Sequence, residues 1–191
     1  MSAVQFPDLG NEKSIFIGLG NPGKNFTSTR HNVGYIFIES IIQYYLEKGI
    51  NYTTKLSATS EVITCSKLKL YLLRPQTFMN SSGEATREVI NYLKIPLNRV
   101  IVAYDDLDLT IGKYKLQFSN HPKSHNGLNS IINELKSEEF FNLRIGINNP
   151  ISRIDQQPGS DYVLSDFSSE EYTTIKSTIK EIITALFATY S

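Results

Sequence analysis

The chain carries a single cysteine, Cys65, among 191 residues. That excludes an intramolecular disulfide and any zinc cluster built on thiolates, and it fits a reducing compartment. Histidine is scarce too, limited to His31, His121 and His125. Only the last two are close together, and no H-E-x-x-H glutamate lies between them, so no metal is expected. Charge of either sign is not in excess: 19 Lys plus Arg stand against 19 Asp plus Glu. With no global field to draw the chain to a polyanion, any nucleic-acid contact has to come from a local basic patch. Repeats, low-complexity tracts and membrane-length apolar runs are also missing. The opening 14 residues lack an apolar signal core and contain no Arg, so they read as neither a secretory signal nor a typical transit peptide. Residues 1–13 are expected to be a disordered or extended segment ahead of a single domain over 14–191.

What is present is ordinary for a globular protein: 40% hydrophobic and 20% charged residues, enough for a sizeable core at this length. Residues 14–20 (SIFIGLG) form a short apolar run ending in glycines, a buried strand entering a tight loop. Apolar residues then recur with helical period over about 32–48, closed by Gly49 as a left-handed cap. The β-rich runs 61–65 and 68–74, separated by Ser66 and Lys67, suggest a hairpin that Pro75 ends. Ser81 and Glu84 have capping-box spacing at the start of a helix that Pro96 stops. Strands follow at 99–105, 113–118 and 143–147, with a helix at 126–135. A second capping box, Ser168 with Glu171, opens a last helix running almost to the terminus. The fold class expected is α/β, a twisted mixed sheet with helices on both faces.

Gly18-x-Gly20-x-x-Gly23 after a strand matches the spacing of a dinucleotide-binding turn. Such a turn needs a helix starting at once, so that its N-terminus faces the pyrophosphate. Here Pro22 interrupts the motif and residues 24–30 show no apolar period. A second pattern is broader. Asn21 follows the first strand, Arg30-His31-Asn32 and Asn80 precede the first two helices, Asp105 ends the central strand, and His125-Asn126 precedes the third helix. Five distant segments thus place Asn, His or Asp at element ends, as a convergent polar cleft requires. Taken singly, each is an ordinary cap or turn residue.

Four segments, GLGNPGKNFTSTRHNVG (18–34), RPQTFMNSSGEA (74–85), VAYDDLDL (102–109) and SHNGLNSI (124–131), resemble the signature segments of the bacterial-type peptidyl-tRNA hydrolases, in order and with compatible spacing. LRIGI (143–147) and DYVLSDF (161–167) resemble later segments of that family, so the likeness spans about 15–187. It implies hydrolysis of the ester between a peptide and the 3′-terminal ribose of tRNA, with no cofactor, by a monomer that binds neither DNA nor membrane. The compartment implied is cytoplasmic or mitochondrial. His31 matches the catalytic histidine, imidazole being the side chain whose unperturbed pKa, about 6.5, suits a general base for water, and Asp105 matches its acidic partner. Asn126 matches a residue of water placement and the oxyanion. Asn21 and Asn80 match residues holding the peptide end, with Met79 on the same wall and His125 near the cleft. Lys113, Lys115, Lys123 and Arg144 are the candidate tRNA contacts, Arg144 matching a residue that grips the 5′ phosphate.

The chain departs from the family pattern in three places. Phe26 stands where Tyr is usual, which keeps stacking but loses a hydroxyl. Gln117 stands in place of a lysine companion to Arg144. The usually glycine-rich loop before His125 reads Ser119, Asn120, His121, Pro122, Lys123, Ser124, which restricts a gate built on it. These departures suit a second reading, a non-catalytic RNA-binding relative of the same fold.

Overall fold

Every residue of the first strand, β1 (Ser14–Gly18), is buried, and a strand without a polar face must be covered on both sides. The computed structural model, which describes residues 12–120, 124–150 and 158–187, shows how. The other strands are β2 (Thr53–Leu56), β3 (Ser60–Cys65), β4 (Leu70–Pro75), β5 (Val100–Thr110), β6 (Tyr114–Phe118) and β7 (Phe141–Asn148), and all seven form one sheet in the order β2-β3-β4-β1-β5-β7-β6. The middle, β4-β1-β5-β7, is parallel, while β2, β3 and β6 run antiparallel at the two sides. The helices are α1 (Val33–Glu47), α2 (Ser82–Leu93), α3 (Asn126–Leu135), α4 (Gly159–Leu164) and α5 (Ser169–Phe187). The result is a single mixed α/β domain with helices on both faces, as the sequence pattern indicated.

Alternation along the strands divides the core in two. Phe16 of β1 and Ile101 and Ala103 of β5 pack with α1 and α5, through Phe37, Ile41 and Ile179. Ile15 and Ile17, with Val100, Val102 and Tyr104, pack with α2 and α3 through Val89 and Ile131. The glycines of the first loop serve this packing. A Cβ on Gly18 would reach within 2.6 Å of Ile38 Cγ1 and into the Gly34 carbonyl, and one on Gly20 would meet the Tyr35 ring at 2.7 Å. Helix α1 packs directly on these two glycines, and the loop continues into a 3-10 turn, Lys24–Phe26, in place of the helix N-terminus that a dinucleotide turn needs.

Several local expectations change. Ser81 precedes α2 without a side-chain cap bond, so that capping box is not formed; the helix is entered from the 3-10 turn Met79–Ser81. Left-handed Lys94 (φ 54°) ends α2, with Ile95 N donating to Ile90 O, ahead of Pro96. The β3–β4 connection takes a 3-10 turn, Ser66–Leu68, and left-handed Lys69, a longer link than Ser66-Lys67. Strand β2, exposed throughout, and the short α4 carried no readable period. Gly49 (φ 68°) closes α1 as expected. The Ser168–Glu171 box forms in both directions, Ser168 N to Glu171 Oε2 at 2.9 Å and Glu171 N to Ser168 Oγ at 3.2 Å. The segment expected at 1–13 lies outside the described residues except for Glu12 and Lys13, and Lys123 and His121 lie outside them as well. Among the described residues no helix is long and apolar enough to cross a membrane.

Candidate active site

The site forms at the carboxyl end of β1 and beside it on β5, where parallel sheets leave a crevice. Midway along β5, where its regular pairing with β7 stops at Asp106, stand two consecutive carboxylates that alternate in direction yet both reach one cleft. Asp105, 4% exposed, meets two imidazoles. His31 Nδ1 lies 2.8 Å and His125 Nε2 3.0 Å from the same oxygen, Asp105 Oδ1, with the rings 5.3 Å apart between centroids. His31 sits in a 3-10 turn, Arg30–Asn32, ahead of α1, and His125 is the N-cap of α3.

The hydrogen-bond network assigns the protons. Leu128 N donates to His125 Nδ1 at 3.2 Å, so in its neutral form His125 carries its hydrogen on Nε2 and gives it to Asp105. His31 gives its Nδ1 hydrogen to the same oxygen, which leaves Nε2 as its basic nitrogen. Burial alone would lower the His31 pKa, but the charge of Asp105 and its hydrogen bond outweigh that and hold it above the ordinary value. Burial would raise the Asp105 pKa; the two imidazoles reverse this and hold it well below the usual carboxylate range.

His31, Asp105 and His125 offer ligand atoms within 4.8 Å of one another. Their donor chemistry does not suit a metal. With His125 Nδ1 already accepting from Leu128 N, coordination through Nε2 would require an imidazolate. Two N–H donors converging on one carboxylate oxygen is the arrangement that these protons satisfy.

These three groups line a cleft of about 320 Å³ together with Asn126, Asp106, Asp108 and the Gly159–Ser160 start of α4. Asn126 is exposed on the first turn of α3. Asn21 lies on the other side of the His31 turn, in a recess of about 480 Å³ shared with Asn32, Tyr35 and Arg74. Its backbone N donates to Asn32 Oδ1 (2.8 Å) while Asn32 Nδ2 donates to its carbonyl (2.9 Å). Its own Oδ1 accepts from Met79 N at 2.9 Å, which ties the Asn80 segment to this rim. Met79 itself is buried in the α2/α3 core, its sulfur against Gly127 beside Asn126. Asn80 is exposed on its 3-10 turn and Phe26 half-buried on another, and neither lines these two recesses.

The second carboxylate, Asp106, also lines the cleft and accepts from Arg144 Nε. Arg144 Nη1 donates to Gln117 Oε1 at 2.9 Å, so the residue in the lysine's place is engaged with the guanidinium. Lys115 pairs directly with Arg144 across β6 and β7 and therefore shares its face, and both Lys113 and Lys115 are exposed. The cleft and this basic strip thus share adjacent residues of β5. Asp106 and Asp108 stand within VAYDDLDL (102–109) with no role legible in sequence, since a run of acids does not say which partner each one meets. The six residues of α4 are too few to show a period.

The family model for peptidyl-tRNA hydrolase matches residues 15–191. A protein of that name from Thermoanaerobacter sp. (strain X514) is 45% identical over 159 residues, 82% of each chain. Another, from Clostridium tetani, is 38% identical over 171 residues, covering 88% of this chain and 86% of the relative. Among solved structures, the peptidyl-tRNA hydrolase of Acinetobacter baumannii matches with a TM-score of 0.78 at 27% identity, over 93% of this chain and 90% of that one.

Proposed function

The chain belongs to the peptidyl-tRNA hydrolase family and is a hydrolase acting on peptidyl-tRNA, and we propose that it cuts the peptide–ribose ester by direct attack of a water molecule that His31 deprotonates. The observation that carries this reading is the 2.8 Å contact between His31 Nδ1 and the buried carboxylate of Asp105. It fixes the tautomer, leaves Nε2 to accept the water's proton, and stabilises the imidazolium that results. No serine nucleophile is involved; the peptide carboxyl is released and the ribose hydroxyl takes back the proton.

Attack on the ester carbonyl develops an oxyanion. The Asn126 carboxamide, on the cleft wall at the first turn of α3, is placed to donate to it, and the positive end of the helix dipole favours the same charge. Asn21, Phe26, Met79 and Asn80 are assigned to the peptide and terminal nucleotide, and His125 to holding Asp105. Arg144 with Lys113, Lys115 and Lys123 would meet the tRNA backbone; Arg144 has to exchange Asp106 or Gln117 for a phosphate to do so. Phe26, Gln117 and the 119–124 loop suit a second reading, binding of tRNA without turnover.

Release of peptide from a purified peptidyl-tRNA by wild type and His31→Ala separates the readings. Turnover by wild type with a loss of at least about 10²-fold in the variant is expected for a lost general base. Equal rates would remove His31 from the mechanism, and tight tRNA binding by wild type without turnover would favour the second reading.

A further inference from the structure

A three-residue 3-10 turn has too few internal hydrogen bonds to fix a side chain, yet the one at Arg30–Asn32 carries the imidazole on which the proposed chemistry depends. It is held from both neighbours. Asn32 exchanges two hydrogen bonds with Asn21. Arg30, 5% exposed, reaches into the C-terminal part of the chain. Its Nη2 donates to Glu171 Oε2 at 2.5 Å, and its Nη1 to Ser165 Oγ at 2.6 Å and Asp166 O at 2.8 Å. The guanidinium carbon lies 4.2 Å from the centre of the Tyr162 ring. Glu171, 3% exposed, is committed as well: Oε2 takes Ser168 N–H and Oε1 takes Asn149 Nδ2 at 3.0 Å. Backbone bonds run alongside, Arg30 N to Ser165 O and Phe167 N to Ser28 O.

Burying such a pair is expensive, and well-packed apolar residues of similar volume often serve stability as well or better. What a guanidinium fork adds is direction, since its donors leave in fixed, planar geometry. We propose that the buried Arg30–Glu171 pair is the positioning device for His31, setting the turn against the start of α5 so that the imidazole meets Asp105 and the cleft at once. This rests on the reading of His31 as the base. The cap that starts α5 and the turn that carries the base share one carboxylate, so the first turn of α5, not its length, is coupled to the active site.

The test compares Glu171→Gln and Arg30→Lys with Ile179→Val, a change in the buried face of α5 that loosens the helix without touching the pair. The readouts are kcat, KM, thermal midpoint and the titration of the His31 ring by NMR in the free protein. The groups facing that ring, Asp105 on β5, His125 ahead of α3, and Asp106 and Asp108 on the cleft wall, are unaltered in all three variants. A displaced turn is expected to lower kcat about 10- to 100-fold at unchanged KM, the usual effect of small misplacements, and to bring His31 titration down as its contact with Asp105 loosens. Ile179→Val should lower only the thermal midpoint. If Glu171→Gln and Arg30→Lys also lower the midpoint while kcat, KM and the titration stay at wild type, the pair is structural and the proposal is overturned. Should Glu171→Gln not fold, Ser165→Ala, which removes one bond to Nη1, decides by the same readouts. Full activity of His31→Ala would end the base assignment, while the NMR titration would still report whether the pair sets the ring.

Discussion

Replacing Asp105 by Asn keeps size and an acceptor oxygen but removes the charge. The side-chain carbonyl can still accept from His31 Nδ1 and His125 Nε2, now 2.8 and 3.0 Å from Asp105 Oδ1. What disappears is the attraction between the carboxylate and the imidazolium that forms as water is deprotonated. With charge centres about 4 Å apart and an effective dielectric of about 20, that attraction is about 4 kcal/mol. At about 1.4 kcal/mol per decade, kcat should fall about 10³-fold. The pH profile should move as well. His31 works as a base only when neutral, so activity is lost as pH falls through its raised pKa. In the variant the charge that raises it is gone and the burial that lowers it remains, so the acid limb of kcat/KM should shift to lower pH. The assay is peptide release from a purified peptidyl-tRNA at subsaturating and saturating concentrations across pH 5–8 (roughly the window in which histidine titrates). A loss under tenfold, or an acid limb that does not move, would refute the base–carboxylate assignment.

Asn126→Ala should cost on the order of 3 kcal/mol of transition-state stabilisation, about 10²-fold in kcat. Its exposed side chain makes the thermal midpoint insensitive, so a large drop in midpoint would count against a catalytic role. Arg144→Ala should raise KM and reduce the salt slope of tRNA binding by about 1; an unchanged slope would mean that phosphate does not reach this guanidinium. Gly34→Ala would drive a Cβ into the Ala103 carbonyl and the Leu19 backbone, with an expected loss of about 3 kcal/mol in denaturant unfolding. Wild-type stability in that variant would show that α1 need not lie so close to β1.

The order of elements apart from β2 and α4, the apolar character of β1, the helical period of α1 and α5, and the reciprocal Ser168–Glu171 cap were legible because each rests on residues near one another in sequence. So were polar residues beside the elements, His31, Asp105 and His125 among them, although β5 runs past Asp105 to Thr110 and does not end there. The glycine pattern at 18–23 was legible as spacing but ambiguous in purpose. Only packing decided it, by pressing Gly34 and the Tyr35 ring of α1 against Gly18 and Gly20. Tertiary structure also decided that two histidines share one oxygen of Asp105, that the neighbouring Asp106 meets Arg144 instead, and that Asn21 and Asn126 line different recesses. The partnership of Arg30 with Glu171 spans 141 positions of chain and leaves no local mark. Periodicity and capping are short-range consequences of backbone geometry, whereas which charges meet depends on how sheet and helices close on one another, and that is fixed only when the whole core is buried.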